Sequence, residues 1–214
     1  DKKKLTKKDQ QREITRLALI EAAESLFARY GIDSVSLRQI GNAIDSGNSS
    51  VVSYYFGTKE DIVQAIFEHR LPWLNQRQGE LFEQVNNLKS PPGVRDFLYA
   101  LWYPFMEQTD KEGVHSLGGF MSELVRSGRG HMLEEVGESK TNTKLILSAM
   151  DKMLPSGIEP FRDFRYGSCL MLITGHLRFM DDMKANNQSS QVTQEAYFAD
   201  ALRMAEAAIS VGIN

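Results

Sequence analysis

The stretch SLRQIGNAIDSGNSSVVSYYFGTKED, residues 36–61, decides how the rest of the chain is read. Ser36 suits an N-cap, and Gln39 three residues on completes a Ser-x-x-Gln capping box. Leu37, Ile40 and Ile44 then mark one face at helical spacing. Asp45 to Ser50 is a polar breaker cluster with Gly47 inside it. Val51 to Phe56 resumes with short polar and aromatic side chains, and Gly57 ends that segment. Thr58 caps a further helix, with Asp61 at the box position and Glu60 in the first turn, where the helix dipole favours acid. The pattern is helix, turn, helix, and the start of a third helix.

The second of these helices is short, and its side chains suit surface contact. The hydroxyls and phenols of Ser49, Ser50, Ser53, Tyr54 and Tyr55 can donate to phosphates and base edges, and Val51 can touch a thymine methyl. Arg38, in the first turn of the preceding helix, can reach a backbone phosphate. Lys59 and the free N–H groups around it offer another anion site. The bland alternative is a plain helical hairpin with its aromatics packed inside.

With these blocks in place, the chain resembles the TetR family of transcriptional regulators. The resemblance rests on Leu19 to Gly31 (LIEAAESLFARYG), on Ser36 to Gly41 (SLRQIG) and on Tyr54 to Ile62 (YYFGTKEDI), in that order and spacing. It covers roughly the first third of the chain. It implies an all-α protein of about nine helices. An N-terminal three-helix DNA-binding domain, residues 1–57, precedes a helical ligand-binding and dimerisation body, residues 58–214. The candidate DNA-binding residues are Ser36, Arg38, Ser49, Ser50, Val51, Ser53, Tyr54, Tyr55 and Lys59. The family usually has an Ala-Gly-Val-Ser-like turn between the two helices. Here Ile44 to Ser49 makes a turn one residue longer, and Ser53 stands where the family often has an aromatic.

Composition agrees with a globular chain. Of 214 residues, 42% are hydrophobic and 25% charged, enough for a sizeable core. The net charge of −3 argues against a general polyanion binder. Yet residues 1–16 hold seven bases against three acids, a basic arm on an acidic chain. Cys169 is the only cysteine, so no intrachain disulfide is expected. No stretch approaches the ~20 apolar residues of a membrane span, and the basic start lacks the apolar run of a signal peptide. A cytoplasmic protein without membrane contact is expected.

The first helix is expected from near Thr6 to Tyr30, with an apolar stripe of Leu19, Ala22, Ala23, Leu26, Phe27 and Tyr30. Residues 58–88 read as one long helix bent near Pro72; by spacing alone it is a connecting helix, and the resemblance implies that it acts as a lever between the two parts. Helices over 94–108, 116–127, 132–154, 159–184 and 193–212 follow, with Pro104 expected to distort the first of these. The segment 159–184 is apolar on two sides, which calls for partners on two sides. With the alanine-rich last helix it is expected to form a homodimer interface, which a charge at Ala205 would split.

His69, His115, His131 and His176 form no HExxH and no Cys/His cluster, so no metal site, cofactor or catalytic residue is expected. Trp102, Tyr103, Met106, Phe120, Met121, Met171 and His176 are candidates to line a pocket for a small effector, for which an apolar or aromatic molecule fits best. Core packing is the competing role for each. The expected function is a sequence-specific DNA-binding regulator, a repressor released by that effector from its double-stranded operator. The alternative is a helical small-molecule binder with no DNA role.

Overall fold

The computed structural model describes residues 6–45, 50–132, 141–188 and 190–212, and among these the regular elements are all helical. They are α1 (Lys7–Tyr30), α2 (Leu37–Asn42), α3 (Val51–Phe56), α4 (Lys59–Asn86), α5 (Val94–Glu107) and α6 (Ser116–Arg126). Then come α7 (Asn142–Asp151), a 3-10 turn (Glu159–Phe161), α8 (Arg162–Ala185) and α9 (Gln194–Ser210). No described helix is long and apolar enough to cross a membrane.

Three capping boxes fix the N-terminal helices: Thr6 with Asp9, Ser36 with Gln39, and Thr58 with Asp61. A side-chain cap of this kind contributes about 1 kcal/mol. At the other ends, Gly31 and Gly57 stop α1 and α3 at φ 88° and 83°, angles a side chain with a Cβ resists. Pro72 and Pro104 lie inside helices that continue past them. Each lacks an N–H, so the carbonyls of Glu68 and Ala100 lose their in-helix donors.

Leu19, Ile20, Ala23 and Phe27 of α1 are buried with Ile40, Val52, Ile62, Val63 and Ile66 in one continuous core that extends through to Ile209. Tyr30, placed by spacing on the buried stripe, is instead 61% exposed, because the stripe turns over Ile20 and Glu24. The helix expected over 132–154 is also corrected. Thr141 is extended and caps a fresh start, its hydroxyl accepting from the Lys144 N–H. Asn142 is then pinned to α4, its backbone N–H on Asn75 Oδ1 and its amide on the Asn75 carbonyl, both at 2.7 Å.

α1 packs most extensively on α6, and polar pairs lock this crossing. Glu24, fully buried, receives Arg70 through two N–H groups and the Ser116 hydroxyl at 2.6 Å. Glu123 of α6 accepts the Ile32 N–H at 3.1 Å. Arg29 pairs with Asp110 and Glu112, at 3.0 and 2.6 Å. Arg129 bridges Asp33 and Glu60 at 3.0 and 2.8 Å, and holds the Glu60 carboxyl below its ordinary range. Gly119 lets the backbones approach: a Cβ there would stand 2.8 Å from that of Ala28.

Candidate nucleic-acid interface and ligand cavity

α3 is anchored by one side and presents the other. Val52 is fully buried, and Val51, Tyr55 and Phe56 are half-buried against the core. Ser50, Ser53 and Tyr54 are exposed, at the i, i+3, i+4 spacing of a single helical face. Tyr54 is 69% exposed and meets Tyr55 edge-on at 5.2 Å. The guanidinium of Arg12 lies over the Tyr54 ring at 5.9 Å, and that of Arg16 over Phe56 at 5.6 Å. Such cation–ring contacts hold the arginines beside α3 while leaving N–H groups free to donate. Arg38 is exposed at the second position of α2. Ser49 lies outside the described residues, as do Lys2, Lys3 and Lys4 of the basic arm and most of the turn before α3.

Two candidate contacts have other duties. The Ser36 hydroxyl donates to Gln39 Oε1 at 2.7 Å and accepts from the Gln39 N–H, so its one donor is spent on the cap. Lys59 turns back, its ammonium donating to the carbonyls of Ile32 and Asp33 at 2.8 and 3.2 Å. It ties the start of α4 to the loop after α1. Conversely, Arg12 and Arg16 were visible in the sequence only as part of the basic arm. Their i, i+4 spacing, four residues apart on one helix face, is the signal that could have singled them out.

A cavity of about 160 Å³ lies in the body between α4, α5, α7 and α8, with Met121 of α6 at its edge. Of the seven pocket candidates, Trp102 and Met121 line it. Tyr103 turns away, stacking on Tyr99 at 4.5 Å and meeting Phe198 at 5.8 Å. Phe120 is core, packed on Phe27 and Phe67. Met106, Met171 and His176 are half-buried elsewhere, and His176 bonds within its own helix to the Leu172 carbonyl at 2.9 Å. The wall comes instead from α4 (Phe67, Leu71, Leu74, Asn75, Gln78), from Leu101 and Phe105 of α5, from Thr141, Thr143 and Leu147, and from Tyr166 and Leu170 of α8. Tyr166 donates its phenol to Asp151, and burial, then this carboxylate, pushes the phenol pKa up. Cys169 is buried, and burial pushes its thiol up to about 11. Among the described residues no group of three His, Cys, Asp or Glu is placed to hold a metal ion.

Residues 19–66, from the middle of α1 into the early turns of α4, match the family model for bacterial regulatory proteins of the tetR family. No curated protein is similar enough to count as a relative. A solved structure from Rhodococcus sp., assigned to the TetR-family transcriptional regulators, is 14% identical over 91% of this chain and 98% of its own, at a TM-score of 0.42. The chain is a helix-turn-helix, DNA-binding transcription regulator. Residues 19–66 are similar to the DNA-binding unit described by that family model.

Proposed function

We propose that the protein is a homodimeric repressor, acting in the cytoplasm, that releases operator DNA when a small apolar or aromatic effector enters the cavity. Residues 1–57 serve as the DNA-binding unit and 58–214 as the regulatory and dimerising body. The observation that carries this is the exposed face of α3, Ser50, Ser53 and Tyr54, with Arg12 and Arg16 beside that helix and Arg38 exposed on the helix before it. Side-chain hydroxyls over base edges and arginines toward phosphates divide the work of reading and positioning.

Two such helices are needed for two half-sites about one DNA turn apart. The outer face of α8 supports a dimer. Phe161, Phe164 and Phe179 are 50%, 78% and 56% exposed, and the open positions at Gly167 and Gly175 leave room for a second helix. On α9, Met204 and Ala208 face outward beside them.

The same helix α4 begins at the DNA-binding unit and forms one wall of the cavity. An effector that prefers a different tilt of α4 changes the spacing of the two α3 helices. It lowers DNA affinity only by as much as it prefers the incompetent arrangement. Linkage requires operator DNA to weaken effector binding by the same factor. Titrating a bound effector with and without operator tests this. Weaker binding with operator is expected, and equal affinity in both titrations would refute release.

A further inference from the structure

Two cation–ring contacts reach from the N-terminal half of α1 to α3, and they differ in kind. Arg16 lies over Phe56, a half-buried ring, and pairs with Glu13 at 3.6 Å. Arg12 lies over Tyr54, which is 69% exposed on the same face as Ser50 and Ser53. The first contact belongs to the packing of α1 on α3. The second sits where the exposed face of α3 meets solvent.

The Tyr54 ring is itself held. It meets Tyr55 edge-on at 5.2 Å, the ring planes 87° apart, and Tyr55 is half-buried against the core. The acids beside Arg12 on α1 have other partners. Asp9 accepts the Thr6 N–H and hydroxyl at 3.1 and 2.6 Å as the helix cap, and Glu13 pairs with Arg16. A guanidinium attracted to a ring face keeps N–H groups for a phosphate, and the attraction strengthens when docking removes water. A free arginine loses the freedom of several rotatable bonds when it grips a phosphate. One already resting on a ring has lost part of that freedom beforehand.

Building on α3 as the reading face, we propose that Tyr54 is a positioning residue for Arg12: its ring holds the guanidinium for a DNA phosphate, so an uncharged side chain sets part of the salt-dependent affinity. The phenol hydroxyl of the same residue remains for the bases. Ring and hydroxyl therefore have separable duties, and Arg12 and Tyr54 act on DNA as one unit.

The test uses the full chain and a random-sequence duplex of about 30 base pairs, so that base reading does not enter, with affinity followed by fluorescence anisotropy from about 50 to about 200 mM salt. Arg12→Ala should reduce the salt slope by about 0.9 for each DNA-binding unit engaged. Tyr54→Leu should reduce it by the same amount, although no charge is changed. The double variant should go no further than either single one. Tyr54→Phe keeps the ring and should keep the wild-type slope. In the free protein, the side-chain proton resonances of Arg12 should be shielded by the ring in the wild type and in Tyr54→Phe, and should lose that shielding in Tyr54→Leu. Tyr54 is largely exposed, and unchanged urea midpoints verify that the variants are folded.

A wild-type slope in Tyr54→Leu, additive losses in the double variant, a reduced slope in Tyr54→Phe, or Arg12 resonances indifferent to the ring would overturn the proposal while leaving α3 as the reading face. A wild-type slope in Arg12→Ala would overturn it by removing Arg12 from the DNA contact. Failure of the folded wild type to bind the duplex at low salt would overturn the DNA-reading assignment as well.

Discussion

Glu24 is an ionisable side chain with no solvent exposure, held by Arg70 of α4 and Ser116 of α6. One carboxylate therefore joins three helices, α1, α4 and α6. Removing its cation leaves a buried, uncompensated charge. Arg70→Ala should cost about 3 kcal/mol, read as a lowered urea midpoint, whereas a change under about 0.5 kcal/mol would mean the pair is not holding this junction. Lys59 and Arg12 make a contrasting pair. Lys59→Ala should lower stability by about 1 kcal/mol, through the lost bonds to Ile32 and Asp33, with the salt slope of DNA binding nearly unchanged. Arg12→Ala should leave stability alone and reduce that slope by about one. The opposite pattern would return Lys59 to the DNA surface. Sequence could not decide between these lysine roles. The carbonyls Lys59 grips lie more than twenty residues earlier, and a backbone acceptor leaves no mark in residue identity. Ser36, Thr58 and Gly57 were legible because a cap and a glycine stop are local chemistry.

α6 is the element on which both candidate regions lean. One side meets α1 through Gly119 and Glu123, and Met121 reaches the cavity. Just before it, Asp110 anchors the loop that holds α1. Burial raises the Asp110 pKa, but the Val114 N–H, the Ser25 hydroxyl, the Glu112 N–H and Arg29 outweigh that and bring it below its usual 3.8. A carboxyl depressed in the folded state contributes stability that is present above its unfolded pKa. That contribution is lost as pH falls through the folded value. Stability should thus begin to drop near pH 3.8 and fall further below it, and Asp110→Asn should flatten that limb. An identical acid limb in the variant would remove Asp110 from the account. Helix order and most boundaries were readable from periodicity and punctuation. The cavity was less so. Trp102 and Met121 were found, but Gln78, Asn75 and Tyr166 were not. A polar residue inside an apolar face looks the same whether it faces a cavity, a neighbouring carbonyl or solvent. The break at Thr141 was missed for a related reason: Asn142 starts α7 where Asn75 of α4 receives it, a contact between distant parts of the chain.

At the scale of the molecule, the exposed Phe161, Phe164 and Phe179 and the small residues of α9 are the surface on which the proposed dimer rests. Ala205, expected from its helix to be a dimer probe, is fully buried inside the protomer, and its carbonyl lies 3.6 Å from Cys169 Sγ. A charge there would unfold the chain before it split a dimer. Ala208 is exposed beside Phe161 and Phe164, so Ala208→Arg is the better test. In sedimentation velocity at micromolar concentration the wild type should run as a dimer and the variant as a folded monomer. A monomeric wild type would contradict this arrangement. In the proposed dimer the spacing of the two α3 helices is fixed, and that spacing must appear in the DNA they choose. The most direct test of the account is selection from a random duplex library by the wild-type protein and by the Ser53→Ala, Tyr54→Ala double variant, both confirmed folded. The wild type should enrich a palindrome with half-site centres about one helical turn, or a multiple of it, apart. The variant should lose that enrichment or select different bases. No enriched sequence with the folded wild type, or the same sequence chosen equally well by the variant, would contradict the claim that the exposed face of α3 reads DNA.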